Sequence, residues 1–250
     1  MMRVIKQVFL GSLLLPVLLC LMPVPALAQD ATMADLRAIA VQMKALKTYS
    51  YETTTNAVFP NGKKDQKVTT VYMDGGRKRL SYKTNVETLL LTDRWAYKAD
   101  HRHKTVSVFN VVKYNDKYKK ALPELETVFK SNLAATFLDS VVLRSGKLVA
   151  AKKNGATTTF RLRFPEDFSI EEMTIVYDNN RKLPESIHIK SFYAGDLSGA
   201  RDKGTRIETV SKGYTLSVPE TVFNTEQYFR IQNGKVVLSQ FKNYKVSSIL

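Results

Sequence analysis

TTTFRLRFPEDFSIEEMTIVYDNNRKLPESIHIKSF, residues 157–192, is the stretch whose reading decides the fold. Phe160, Leu162 and Phe164 alternate with Thr159, Arg161 and Arg163, so an extended strand here is apolar on one side and basic on the other. Met173, Ile175 and Tyr177 continue the period of two, and Ile187 and Ile189 resume it after a turn at Asp178-Asn179-Asn180. Such alternation belongs to antiparallel strands with one face on a core or cavity and the other in water.

Working outward, the preceding chain reads as more of the same sheet. Tyr49–Phe59, Gln66–Met73, Arg77–Thr84, Glu87–Thr92, Trp95–Lys98 and Thr105–Tyr114 are expected strands. Turn signals at Pro60-Asn61-Gly62, Asp74-Gly75-Gly76, Asn85 and Asp100–Lys104 separate them. Strands about ten residues apart with such turns make a meander rather than βαβ units. Thr32–Lys47 reads as a helix, with Leu36, Ile39, Ala40, Met43 and Leu46 on one stripe, Thr32 and Asp35 as a capping arrangement, and Lys44 and Lys47 at its C-terminal end. After a charged loop at Asp116–Lys120, Pro123–Leu138 reads as a second amphipathic helix with Leu125, Val128, Phe129, Leu133 and Phe137 on one face.

Ser140–Leu143 and Lys147–Lys153 are expected to return to strand. Ala194–Gly204, small and polar, reads as a mobile hairpin loop, and Thr205–Val210 as the strand after it. Phe223–Phe229 is expected to be a short helical turn or loop, and Lys235–Leu238 with the tail Tyr244–Val246 to close the sheet edge.

The first residues stand apart. Arg3 and Lys6, an apolar run from Val8 to Met22 and then Ala26-Leu27-Ala28 match a cleaved secretory leader over residues 1–28. The run is short for a membrane span. Residues 29–250 then form a single domain, exported and periplasmic. The only cysteine, Cys20, would leave with the leader, so disulfides would not hold the mature chain. Losing Arg3 and Lys6 lowers the formal charge from +15 to +13. Export turns that charge away from nucleic acid and towards an anionic membrane surface or an acidic partner, the alternative being a solvated basic surface that keeps the chain soluble.

No motif argues for an enzyme. GxGxxG, the GK[ST] loop and G-x-S-x-G are all missing. Glu171 and Glu172 adjoin Asp167 in what reads as a solvated acidic loop, without apolar shelter to part their pKa values. His101 and His103 have two-ligand spacing on one side of a strand, but Arg102 and Lys104 flank them, and His188 belongs to another strand; neither a metal nor a cofactor is expected. What remains is a surplus of apolar side chains on strands, most of which a core packed by the two helices would account for. Leu89, Leu91, Trp95, Tyr97, Phe160, Leu162, Phe164, Ile175, Tyr177 and Ile187 are the candidates to line an apolar cavity, with Leu125, Val128 and Phe129 as a lid. Such a cavity suits acyl chains, each buried methylene contributing about 0.8 kcal/mol.

The opening helix Met33–Leu46 leading into Tyr49–Phe59, and the hairpin MTIVYDNNRKLPESIHIK, resemble the periplasmic lipoprotein-carrier superfamily of the LolA/LolB type. The resemblance implies a mainly β fold with some α: an unclosed antiparallel half-barrel with helices covering its concave face. It implies a non-catalytic carrier whose partner is a lipid or the acyl chains of a lipoprotein. The alternative is an envelope adaptor using a basic surface to bind an acidic partner or anionic lipid surface.

Overall fold

The computed structural model describes residues 31–118, 137–193 and 204–250. The leader, the lid residues Leu125, Val128 and Phe129, and all of the Ala194–Gly204 loop except Gly204 lie outside the described residues. Helix α1, Met33–Ala45, is followed by strands β1 (Thr48–Val58), β2 (Lys64–Asp74), β3 (Arg79–Thr84), β4 (Glu87–Leu91), β5 (Trp95–Asp100) and β6 (Thr105–Asn110). Helices α2 (Val111–Tyr118) and α3 (Ser140–Ser145) come next. Strands β7 (Lys147–Asn154), β8 (Thr157–Arg163), β9 (Ile170–Asp178), β10 (Leu183–Tyr193) and β11 (Thr205–Thr215) form a second meander. The C-terminal part holds two 3-10 turns, Glu220–Phe223 and Thr225–Gln227, and strands β12 (Phe229–Gln232), β13 (Lys235–Leu238) and β14 (Lys245–Ile249).

Twelve strands form one sheet in the order β14-β6-β5-β4-β3-β2-β1-β11-β10-β9-β8-β7. Its two ends do not meet, so it is an open half-barrel with helices, as the resemblance implied. The meanders join where β1 pairs with β11. There Tyr51 faces an extra residue in β11, because the register moves from Ser50↔Thr215 to Glu52↔Lys212. Gly213 supplies the positive φ (68°) that this bulge requires, and the bulge sets Tyr214 stacked on Tyr51 at 5.1 Å. Beyond the bulge the seam turns polar, with Thr53 hydrogen-bonded to Ser211 at 2.8 Å and Thr55 to Thr209 at 3.4 Å.

The concave face is the main core. Leu36, Ile39, Ala40 and Met43 of α1 are buried against it. The helix starts as its sequence dictates: the Thr32 amide donates to the Asp35 carboxylate at 2.7 Å, and the Asp35 amide to the Thr32 hydroxyl at 3.3 Å. These two bonds satisfy orphan donors of the first turn.

A second core lies on the convex face. Leu90, Tyr97, Ala99, Val106 and Val108 are buried there beneath Phe223, Tyr228, Phe229 and Leu238. Residues 216–250 thus form a strap over the back of β3–β6. Strand β14 ends the strap, pairing in parallel with β6 from Lys245↔Thr105 to Ile249↔Phe109. The tail therefore does cap the sheet edge, whereas Lys235–Leu238 pairs with β12 in a separate two-stranded sheet.

Three local readings need correction. Ser140–Leu143 is helical, because Asp139 caps it by accepting the Val141 amide at 2.8 Å and Leu143 turns into the core. The strand from Thr105 stops at Asn110, whose side chain accepts the Lys113 amide at 3.1 Å and opens α2. That helix continues through Asp116 and Lys117, so the charged segment is not a loop there.

An ionic clamp fixes the strap. The Glu220 carboxylate bridges Arg77 and Arg79, with Arg79 Nη1 at 2.6 Å, and the Arg79 guanidinium lies 4.5 Å from the Phe223 ring. The Arg79 hydrogen bond, helped by both positive charges, holds Glu220 at about 2. An unfolded glutamate titrates near 4.3. A folded pKa below the unfolded one contributes stability that is present above the unfolded value and lost as pH falls towards the folded one. Strap docking should therefore weaken between about pH 4.5 and 2. Trp95, T-stacked on Phe229 at 5.5 Å, reports it by emission. Other carboxylates titrate in the same range, so the diagnostic is the difference from Glu220→Gln. That variant should start with a looser strap and lose less in acid; identical acid profiles would remove the clamp from the account.

Candidate functional site

The candidate cavity residues divide by face. Leu89, Leu91, Phe160, Leu162, Phe164, Ile175, Tyr177 and Ile187 belong to the concave core or pack against it. The β2–β3–β4 register sets Val71 beside Tyr82 and Leu80 beside Leu91. The β8–β9–β10 register sets Phe160 beside Ile175, and Ile175 beside Ile187. Trp95 and Tyr97 do not join them. The β4–β5 hairpin pairs Leu90 with Tyr97 and Leu91 with Ala96, which places both aromatic rings on the convex face under the strap. Tyr97 stacks there on Phe229 at 5.9 Å.

Phe160, Leu162, Ile175 and Ile187 are fully buried, so α1 and the sheet close over them. The closure stops on either flank of the helix. On one flank a cleft of about 450 Å³ runs between α1 and strands β8–β9. Ile39, Phe160 and Tyr177 form its apolar wall, with Ala38, Gln42, Lys153, Thr158, Asn179 and Lys182 around it. The Tyr177 hydroxyl donates to Gln42 Oε1 at 2.8 Å, a polar tie from the sheet to the helix. Burial, and secondarily the charge of Asp178, raises the Tyr177 phenol above its ordinary range, so it stays a donor at neutral pH. Thr158 and Asn179 satisfy one another at 3.0–3.1 Å. Asp35 is held below the usual carboxylate range by the Thr32 amide and hydroxyl it caps, which ties it to the helix end.

On the other flank a second cleft, also about 450 Å³, lies between α1 and α3. Ala40, Val41, Leu138 and Leu143 line it with Arg37, Lys44, Ser140 and Arg144. Ala40, Leu138 and Leu143 are members of the concave core, so the floor of this cleft is the roof of that core. Val41 is 67% exposed and stands at its edge. No sequence signal singled out this cleft, because Ser140 and Leu143 of its wall come from the segment read as a strand.

The other candidates for chemistry are placed apart. Glu171 and Glu172 lie in β9 rather than in a loop, and Glu172 is paired with Arg161 at 2.6 Å, which lowers its pKa. His101 and His103 do not share a face. His101 sits within hydrogen-bond reach of Thr88 at 3.0 Å and Tyr244 at 3.2 Å and packs on Phe241, while exposed His103 pairs with Asp100 at 2.8 Å. His188 pairs with Glu208 at 2.7 Å on another part of the sheet. Among the described residues no group of three His, Cys, Asp or Glu is placed to hold a metal, and no helix is long and apolar enough to cross a membrane.

No family model and no curated protein matches the chain. Solved structures do. The chain is similar to a LolA superfamily protein from Nitrosomonas europaea, at 9% identity and a TM-score of 0.31, covering 78% of this chain and 99% of that one. It is similar to an uncharacterized conserved protein from Thermus thermophilus, at 7% identity and a TM-score of 0.38 over 87% of this chain and all of the other. A third likeness is to the Pseudomonas aeruginosa MucA/MucB complex, at 11% identity and 0.33 over 78% and 61%. The likeness to these solved structures is distant. At these identities and scores it says nothing of what this chain binds.

Proposed function

We propose that this chain is an exported, non-catalytic binding protein that holds the acyl part of a lipid or lipoprotein against the concave face, beneath α1. The observation that carries the reading is the cover itself: the 13-residue helix α1 packs on an apolar floor drawn from both meanders, and clefts lie on both of its flanks. The energies match. Releasing the stripe of Leu36, Ile39, Ala40 and Met43 costs roughly 1.5–3 kcal/mol for each large side chain. A chain of about sixteen carbons contributes roughly 12 kcal/mol by burial, enough to offset that release. Export rests on the leader read in residues 1–28.

The rival reading, an adaptor with a basic docking face, is favoured by no observation on the basic side of β8–β11. There Arg161 and Arg163 meet Glu172, Lys212 meets Glu52 and His188 meets Glu208, so the charges are mixed.

The helix tie supplies the test. In a Cys20→Ser background, Gln42→Cys and Tyr177→Cys joined by a short bismaleimide would pin α1 to β9. Uptake of a fluorescent fatty acid should fall at least about tenfold on linking, while the unlinked double variant keeps it. Equal uptake by linked and unlinked protein would mean that α1 is not the moving cover.

A further inference from the structure

The cleft between α1 and α3 is more than a second gap beside the helix. On α1, Arg37, Val41 and Lys44 follow one another at spacings of four and three, so they share a stripe. Helix α3 brings Leu143 and Arg144 to the other wall. Three cations therefore border a floor made of Ala40, Leu138 and Leu143. The carboxylate at hand is Asp139, and it is already engaged: it caps α3 and lies 3.6 Å from Lys44. Arg144 uses its Nε to donate to the Ser140 carbonyl at 3.1 Å, which roots the side chain beside the cleft. Neither Arg37 nor Arg144 has a carboxylate partner among the described residues.

Resting on the acyl-binding reading, we infer that this cleft reads the head of the ligand, and that the ligand is an anionic single-chain amphiphile. Its carboxylate or phosphate monoester sits between Arg37 and Arg144, and its chain enters the concave core past Leu138 and Leu143. Guanidinium groups suit such a head because their planar donors engage two oxygens at once. The apolar floor disfavours a free inorganic anion, which would lose water there with no chain to bury. The flanking cleft beside β8 lacks this arrangement: its cations, Lys153 and Lys182, stand among polar groups.

The test compares four probes on the purified chain by calorimetry: hexadecyl phosphate, palmitate, hexadecanol and inorganic phosphate. The two anionic amphiphiles should bind at least about tenfold tighter than hexadecanol, with affinity falling as salt rises. Arg37→Glu with Arg144→Glu should erase that preference and leave hexadecanol unchanged; Arg37→Ala with Arg144→Ala, a gentler change, should do so in part. Equal binding of palmitate, hexadecyl phosphate and hexadecanol by the unaltered chain would overturn the head-reading role and leave acyl binding standing. Binding of none of the three chains would overturn acyl binding itself. Competition by inorganic phosphate at matching concentration would overturn the amphiphile in favour of a free anion.

Discussion

Ending the chain after Thr215 is expected to give a protein that aggregates and binds anilinonaphthalene sulfonate, because the strap is half of the convex core. Leu90, Tyr97, Ala99, Val106 and Val108, each at most 1% exposed, would face water together. With burial worth roughly 1.5–3 kcal/mol for each large side chain, the loss is on the order of 10 kcal/mol, comparable to the whole net stability of a domain. The deletion also strips β14 from β6 and leaves an edge strand open to pairing with other copies. Sedimentation and dye fluorescence check both effects. A monomeric shortened chain with native Trp95 emission would show that the strap is dispensable.

The second large effect is Phe160→Ala. Phe160 is fully buried between Ile175 and Ala151 on the concave face, and it also forms part of the wall of the β8-side cleft. Truncating such a ring costs about 3–5 kcal/mol, through lost transfer energy and the space left behind. Under the acyl-binding reading that space opens next to the ligand, so saturating palmitate should return more stability to the variant than to the parent. Urea denaturation with and without palmitate measures both quantities. A loss below about 1 kcal/mol would mean that this part of the concave face is loosely packed.

Much of the fold is legible in single strands. Phe160, Leu162 and Phe164 announce their face, and Thr32 with Asp35 announces a helix start, because alternation and capping are local properties of the chain. The candidate site is less legible, since it depends on parity across turns. Leu89 and Leu91 share odd numbering with Trp95 and Tyr97, yet the hairpin sets Leu91 against Ala96, and the faces exchange. A signal was present: Leu89-Leu90-Leu91 has no polar alternate, as expected of a strand covered on both sides. That run foretold a second layer, and the strap is that layer. At Ser140–Ser145 the β-branched pair Val141-Val142 favoured a strand, and one capping carboxylate, Asp139, outweighed it. The cleft lined by that helix was therefore invisible until the helix was in place.

The seam between the meanders bears on how the molecule comes into being. Thr53 meets Ser211 across 158 positions, and β6 receives β14 only from the last residues of the chain. At ribosomal speeds of roughly 5–20 residues per second, β1 waits on the order of 10–30 s for its neighbour. Throughout that interval its open ladder and the bare apolar back of β4–β6 are hazards of synthesis rather than of the finished molecule. An incomplete chain is therefore expected to pair with other copies at those edges until β11 and β14 have docked.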